Sequence, residues 1–375
     1  MMRLLACLFV ASTLLTGCGP QGLDTPINSP YASGAEKKNV LYTAFAARSP
    51  KFLDPARSYS TDETPYTYNI YEPLYGYHYL KRPYELIPRT ASFIAEPKFV
   101  DREGRDLPAD TPVETIAESI YDIPLKQGIM YAPNPVFARE QDGRFSYWPI
   151  TEDVLKDKFA MTDFAKTGTR ELTAYDYVYA LRRLASPRVA SPIFATLAEH
   201  IVGFGQYGAR LREMDSALRK DLAPGTRDLP WLDLRDVGFA GVQALDAHTL
   251  RIRVKGLYPQ FKYWLAMTFV APIPWEADRF YSQPGMAQRN LTLNNWPVGT
   301  GPYMLGESIQ NRRHVLERNP NFRGEPYPCE GEPADQAKGL LADCGKMTPF
   351  IDRIVFNMEK ESIPLQGKFM RSEEH

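Results

Sequence analysis

The stretch Trp296-Pro297-Val298-Gly299-Thr300-Gly301-Pro302-Tyr303-Met304-Leu305 (WPVGTGPYML) invites two different readings. Two glycines one residue apart suggest a phosphate loop. A dinucleotide-binding turn needs a third glycine three residues after the second, in a loop that opens a helix. Met304 stands at that position, and Pro302 removes a backbone N–H that a phosphate would use. The residues that follow read as a strand, and no Gly-Lys-Ser/Thr of a P-loop is present. The reading that remains is a tight backbone path between a loop and a core strand, where glycine serves because it has no Cβ. Thr300 and Pro302 shape the turn.

Working outward, RRHVLERNPNF (312–322) suggests a strand pair and PFIDRIVFNMEKE (349–361) a further strand. Upstream, VQALDAHTLRIRV (242–254) reads as a hairpin turning at Asp246-Ala247-His248, with Leu250, Ile252 and Val254 inward and Arg251 and Arg253 outward. Leu172 to Pro187 reads as a helix with a capping-box variant at Thr173 and Asp176 and an apolar face of Tyr177, Val178, Leu181 and Leu184. A second helix is expected over 205–220, and YPQFKYWLAMTFVAPIP (258–274) reads as helical. Near the start, Val40 to Phe45 is strand-like, and Thr64 followed by Pro65 marks a helix start with Thr64 at the N-cap. Tyr68, Tyr71 and Tyr75 recur at helical spacing. ESIYDIPLK (118–126) alternates as a strand, whereas 97–117 and 135–165 read as long loops or insertions.

The chain has 375 residues, with 44 Lys and Arg against 45 Asp and Glu. That balance gives no electrostatic case for nucleic acid. The 22 tyrosines suit partly wet, amphipathic surfaces, and the 32 prolines suit long ordered connections.

The N-terminus carries Arg3, an apolar run from Leu4 to Leu15, and then Leu15-Thr16-Gly17-Cys18. The run is shorter than the roughly 20 residues that span a bilayer and suits a secretory signal. Small residues before Cys18 resemble a bacterial lipoprotein signal, so residues 1–17 are expected to be removed and Cys18 to carry lipid. An ordinary signal peptide or an anchor helix is the other reading. Residues 18–39 read as a flexible tether. Two cysteines then remain, Cys329 and Cys344, in a segment rich in Pro, Gly and Asp. In an exported chain a disulfide between them is favoured, closing a short loop worth about 3 kcal/mol on chain-entropy grounds. Zinc and a pair of free thiols are the rival readings.

Signatures of catalysis are missing. No G-x-S-x-G, H-E-x-x-H or EF-hand loop occurs. The five histidines (78, 200, 248, 314 and 375) lack metal-like spacing. Acidic pairs such as Asp62-Glu63 and Asp233/Asp236 arise by chance among 45 acidic residues. No catalytic residue, metal or cofactor is therefore expected.

The order of these pieces is itself informative. Leu53-Asp54-Pro55 precedes YNIYEPLYGY (68–77). Then come the Leu172–Pro187 block, VQALDAHTLRIRV, PVGTGPYML, Arg318-Asn319-Pro320-Asn321-Phe322 and FIDRIVF (350–356). In sequence and order this resembles the extracellular solute-binding proteins of family 5, the oligopeptide- and dipeptide-binding type of ABC importers, from about Val40 to Phe356. One departure is the stretch GIMYAPNPVFA (128–138), followed by a long insertion before Leu172.

The resemblance implies an α/β, periplasmic binding protein-like (type II) fold with two lobes around a ligand cleft. It also implies that residues 40–349 form the first lobe, with an inserted subdomain at about 80–170, and that 350–375 begin the crossover into a second lobe that is largely missing. It implies a binding protein rather than an enzyme. The expected ligand is a peptide or related small solute, and the expected partners are an ABC permease and ATPase. The protein is expected to be a monomer, lipid-anchored in the periplasm or at the cell surface. Candidate ligand contacts are Ser58, Tyr59, Ser60 and Thr61 after Leu-Asp-Pro, and the neighbourhood of Trp296. Nickel complexes, opines and oligosaccharides remain open as ligands. Two other classes remain open: a cell-surface hydrolase using a carboxylate pair, and a sensory or structural lipoprotein on the same fold.

Overall fold

The computed structural model describes residues 38–359 apart from residues 47, 224 and 227. The expected signal segment, Cys18, the expected tether up to residue 37, and residues 360–375 lie outside the described residues. What is described is a mixed α/β structure built around two sheets and one continuous apolar core.

The first sheet has the strand order β1-β13-β10-β9. Strands β1 (Val40–Ala46) and β13 (Arg353–Glu359) run parallel, with Val40 opposite Arg353 and Ala46 opposite Glu359. Strand β10 (Arg313–Arg318) is antiparallel to both β13 and β9 (Tyr303–Ile309), and a bulge interrupts its pairing with β9 between Val315 and Leu316. The two residues at the bulge, Val315 and Leu316, are both buried.

The second sheet is antiparallel, in the order β5-β4-β6-β8-β7. Its centre is β6 (Glu118–Pro124) paired with β8 (Thr249–Lys255). Leu250, Ile252 and Val254 are fully buried, as their alternation predicts. On the other face Arg251 and Arg253 hold Asp122 and Glu118 of β6 in two-pronged ion pairs. Strand β7 (Val242–Asp246) closes the hairpin. Residues 97–117 are not simply a loop: β4 (Lys98–Val100) and β5 (Asp106–Leu107) extend the sheet at its edge. Strands this short lie below the length at which alternation can be read. Two small ladders complete the set, β2 (Tyr75–Tyr77) with β3 (Leu86–Pro88) and β11 (Glu325–Pro326) with β12 (Met347–Thr348).

Among the described residues, eight α-helices pack around these sheets: α1 (Thr64–Ile70), α2 (Glu152–Leu155), α3 (Ala174–Leu184), α4 (Phe194–His200), α5 (Phe204–Arg219), α6 (Phe261–Trp264), α7 (Trp275–Tyr281) and α8 (Pro333–Ala337). Helix α3 lies against β7 and β8 and buries Tyr177, Val178, Leu181 and Leu184. The Asp176 carboxylate accepts the Thr173 N–H at 2.9 Å, one half of a capping box. Arg183 on the same helix donates to both oxygens of buried Asp54, at 3.1 and 2.8 Å, and so fastens Leu53-Asp54-Pro55 to the core.

Three local expectations are corrected. Thr64 is not the N-cap: Glu63 holds that position, and the Thr64 hydroxyl donates to the Ser60 carbonyl. The Glu63 carboxylate faces backward and accepts the N–H groups of Phe52, Tyr59 and Ser60, tying up the preceding loop. The tyrosine repeat is not one helical face, because α1 ends at Ile70, close before Pro73, and Tyr71 is extended. The stretch 258–274 is helical only over α6 and a single 3₁₀ turn at Thr268–Val270.

Candidate functional site

Gly299 and Gly301 thread the chain against the C-terminal end of α1. A Cβ on Gly299 would sit 2.0 Å from the Ile70 carbonyl oxygen, and one on Gly301 would sit 2.6 Å from that of Asn69. Neither position is explained by a left-handed backbone; what it needs is room. The Gly301 N–H donates to Ile70 O at 2.9 Å, Ala132 N–H donates to Gly299 O at 3.0 Å, and Asn319 Nδ2 donates to Gly301 O at 2.8 Å. The motif is therefore a clasp that joins α1, the 128–138 segment and the start of β9. Asn319 belongs to the Arg318–Phe322 block, and Asn321 Nδ2 reaches Tyr131 O, which ties the two sequence markers together.

The clasp fixes α1 and the loop before it. That loop leaves from the C-terminal end of β1, beside the C-terminal end of its parallel neighbour β13. In α/β sheets the space beyond the carboxyl ends of parallel strands is where ligands bind. Ser49 anchors the loop's first residues: its hydroxyl accepts the Asn311 N–H at 2.7 Å and lies 2.7 Å from His314 Nε2. His314 is fully buried, and burial lowers its pKa to about 4, so it is a neutral core residue.

The loop presents an aromatic face. Tyr59 is 73% exposed, with its ring centroid 5.8 Å from that of Phe269. Tyr68, on the outer side of α1, is 47% exposed. Its pKa is raised by burial first and then by the neighbouring Tyr77 hydroxyl. Tyr77 is equally exposed and packs edge-on against Tyr84 at 6.0 Å. A tyrosine that is half in water offers a rigid apolar body and a polar tip, which suits a ligand with both amide and apolar groups.

The candidate residues divide on this surface. Tyr59 and Thr61 are exposed and Ser60 is partly so, whereas Ser58 is buried. Trp296 lies in the core at 6% exposure, and its carbonyl accepts the Tyr281 hydroxyl, so its side chain is not part of the exposed face. Phe269, Tyr68 and Tyr77 were missed. The tyrosine density of 66–79 was the available signal, but helical spacing pointed to packing instead. Cys329 and Cys344 are joined as a disulfide across a separation of 15 residues, in the arm between β11 and β12. Among the described residues no cluster of three or more His, Cys, Asp or Glu is arranged to hold a metal ion.

Comparison with known proteins supplies the class. Residues 167–366 match the bacterial extracellular solute-binding proteins, family 5 (middle region). The chain belongs to this family, and its fold is the periplasmic binding protein-like α/β fold. It is 28% identical over 244 residues to the periplasmic oligopeptide-binding protein OppA of Salmonella typhimurium, an alignment covering 63% of this chain and 38% of that one. Over 97 residues it is 36% identical to the nickel-binding periplasmic protein of Escherichia coli, covering 25% and 17%. Among solved structures, Listeria monocytogenes OppA bound to peptide superposes with a TM-score of 0.51 at 15% identity, covering 90% of this chain and 46% of that one. Helicobacter pylori DppA in complex with the peptide STSA gives 0.51 at 15%, covering 92% and 47%. The chain thus spans less than half the length of these relatives.

Proposed function

We propose that the chain is the binding component of an ABC importer and takes peptides, or a related small solute, on the face formed by Tyr59, Tyr68 and Phe269. The observation that carries this reading is the exposed aromatic face of Tyr59 and Tyr68 beside Phe269. Two relatives named as oligopeptide-binding proteins and a superposable structure that holds a peptide support it. Ser60 and Thr61 lie at the rim, where their hydroxyls can meet ligand amides, directly or through water. Delivery to a permease, attachment through lipid on Cys18 and a monomeric state belong to the same proposal. The test is mass spectrometry of solute that co-purifies with the protein, followed by calorimetry with that solute. Tyr59→Ala should weaken binding about 5- to 30-fold, the loss of one aromatic anchor. Unchanged affinity in Tyr59→Ala and in Tyr68→Ala would remove this face from the site.

A further inference from the structure

Away from the aromatic face, three of the five tryptophans, Trp148, Trp231 and Trp275, meet two arginines, Arg235 and Arg279. Arg279 of α7 sits 3.4 Å over the ring of Trp148 and 5.7–5.8 Å from the rings of Phe145, Trp231 and Trp275. Arg235 sits 4.0 Å over Trp275, and Arg139 sits 4.0 Å over Phe145. The rings touch one another, with centroids 5.9 Å apart for Phe145–Trp275, 6.1 Å for Trp231–Trp275 and 6.4 Å for Trp148–Trp231. Stacking engages the face of a guanidinium and leaves its N–H edge free.

Much of that edge is unused. No N–H of Arg279 donates a hydrogen bond to a described residue, and its Nε is buried. Arg182 donates only through Nη1, to the carbonyls of Leu234 and Arg235, and its Nε is buried without a partner. Arg139 donates only through Nη1, to the Gly143 carbonyl. None of the three forms an ion pair among the described residues. Burial lowers the pKa of both Arg182 and Arg279, and Arg235 adds repulsion at Arg279.

The nearby carboxylates are engaged elsewhere. Asp176 and Glu276 both bind Arg170, Asp233 binds Arg235, and Glu171 accepts the Gly128 N–H and faces His248. Arg139, Arg182 and Arg235 open with Trp275 onto one groove of about 1190 Å³ beside α3. A partly buried cation with no partner is unfavourable, and an unpaired buried N–H calls for a water or an ion.

We propose that this groove is a second ligand site, which takes a phosphate-class oxyanion gripped by Arg139 and Arg182, with Arg235 on the same wall and Trp275 as its apolar side. Guanidinium forks match such oxygens in two-pronged fashion. A phosphate brings more charge than a carboxylate, in keeping with several unpaired arginines rather than one. The oxyanion is either free phosphate or a phospholipid headgroup, and the experiment separates the two.

Trp275, which lines the groove, reports on the site. Tryptophan emission of the full chain should change saturably on titration with inorganic phosphate, beyond a sodium chloride control of equal ionic strength. Arg139→Gln and Arg182→Gln should each weaken that response about tenfold or more, the loss of one charge-assisted contact. Arg139 is exposed and makes one hydrogen bond to a neighbouring turn, so R139Q keeps the test valid if R182Q does not fold. If phosphate is silent but vesicles containing phosphatidylglycerol, and not pure phosphatidylcholine, shift the emission with the same loss in the variants, the site stands and the source is lipid. No saturable response to either probe, or a response unchanged in both variants, overturns the proposal. Tyr59→Ala should leave the phosphate response intact, so failure of the peptide reading and failure of this one are distinguishable.

Discussion

Gly299→Ala tests the clasp at its tightest point. The added Cβ would lie 2.0 Å from Ile70 O and 2.8 Å from Ile70 C, both backbone atoms that cannot swing aside. Ordinary contact begins near 3.4 Å, so the end of α1 and the glycine strand must part by roughly 1 Å or more. That movement strains the Gly301 N–H to Ile70 O and Ala132 N–H to Gly299 O bonds, each worth about 1 kcal/mol net. Overpacking adds about 1–3 kcal/mol. The expected loss is therefore about 3–5 kcal/mol, a large part of an ordinary domain's stability. Gly205→Ala is the matched control. Gly205 lies in the first turn of α5, with only the Ala198 Cβ near, at 3.9 Å. It should be neutral or stabilise by up to about 1 kcal/mol. Urea denaturation of both variants against the parent, followed by tryptophan emission and circular dichroism, measures the difference. Equal midpoints for the two variants would refute the close-approach account, and with it the claim that this motif holds α1 in place.

Other outcomes follow from the same geometry. His314 has a folded pKa of about 4, below its ordinary 6.5. Its contribution is fully present above pH 6.5 and is lost as pH falls toward 4, up to ~3 kcal/mol. His314→Gln should flatten that part of the stability profile, and parallel profiles for parent and variant would contradict it. Cys329→Ser should expose the 330–343 loop to limited proteolysis, with a local destabilisation of about 3 kcal/mol; an unchanged cleavage pattern would argue against a stabilising cross-link. Cys18→Ser should move the protein from the membrane fraction to the soluble one, and unchanged fractionation would refute the lipid anchor.

Where a local pattern carries the information, the sequence was readable. The period-2 alternation of Leu250, Ile252 and Val254 placed β8, and Thr173 with Asp176 placed the start of α3. Crowding around Gly299 and Gly301 was inferable because no phosphate reading survived Pro302 and Met304. Features that depend on distant partners were not readable. Glu63 takes the N-cap position while its carboxylate answers to Phe52 and Tyr59, which no local rule anticipates. Trp296 sits in the core although it adjoins the most telling motif. Tyr68 differs from Tyr71 and Tyr75 only in which way the chain turns after Ile70. The arginine stack joins residues 139, 235 and 279, and face-on stacking of a cation leaves no periodic trace.

The pairing of β1 with β13 also constrains the order of events during synthesis. Asn39 and Asp352, which bond across the start of that pair, are 313 residues apart. At roughly 5–20 residues per second, β1 waits on the order of a quarter of a minute to a minute for its neighbour to be made. The second sheet draws all its strands from residues 98–255 and can assemble well before that. Until β13 arrives, β1 is an unmatched strand with a bare hydrogen-bonding edge, the kind of segment that invites pairing with other chains. Late synthesis of β13 places completion of the first sheet after that of the second, and makes β1 the segment that a holding chaperone would need to cover.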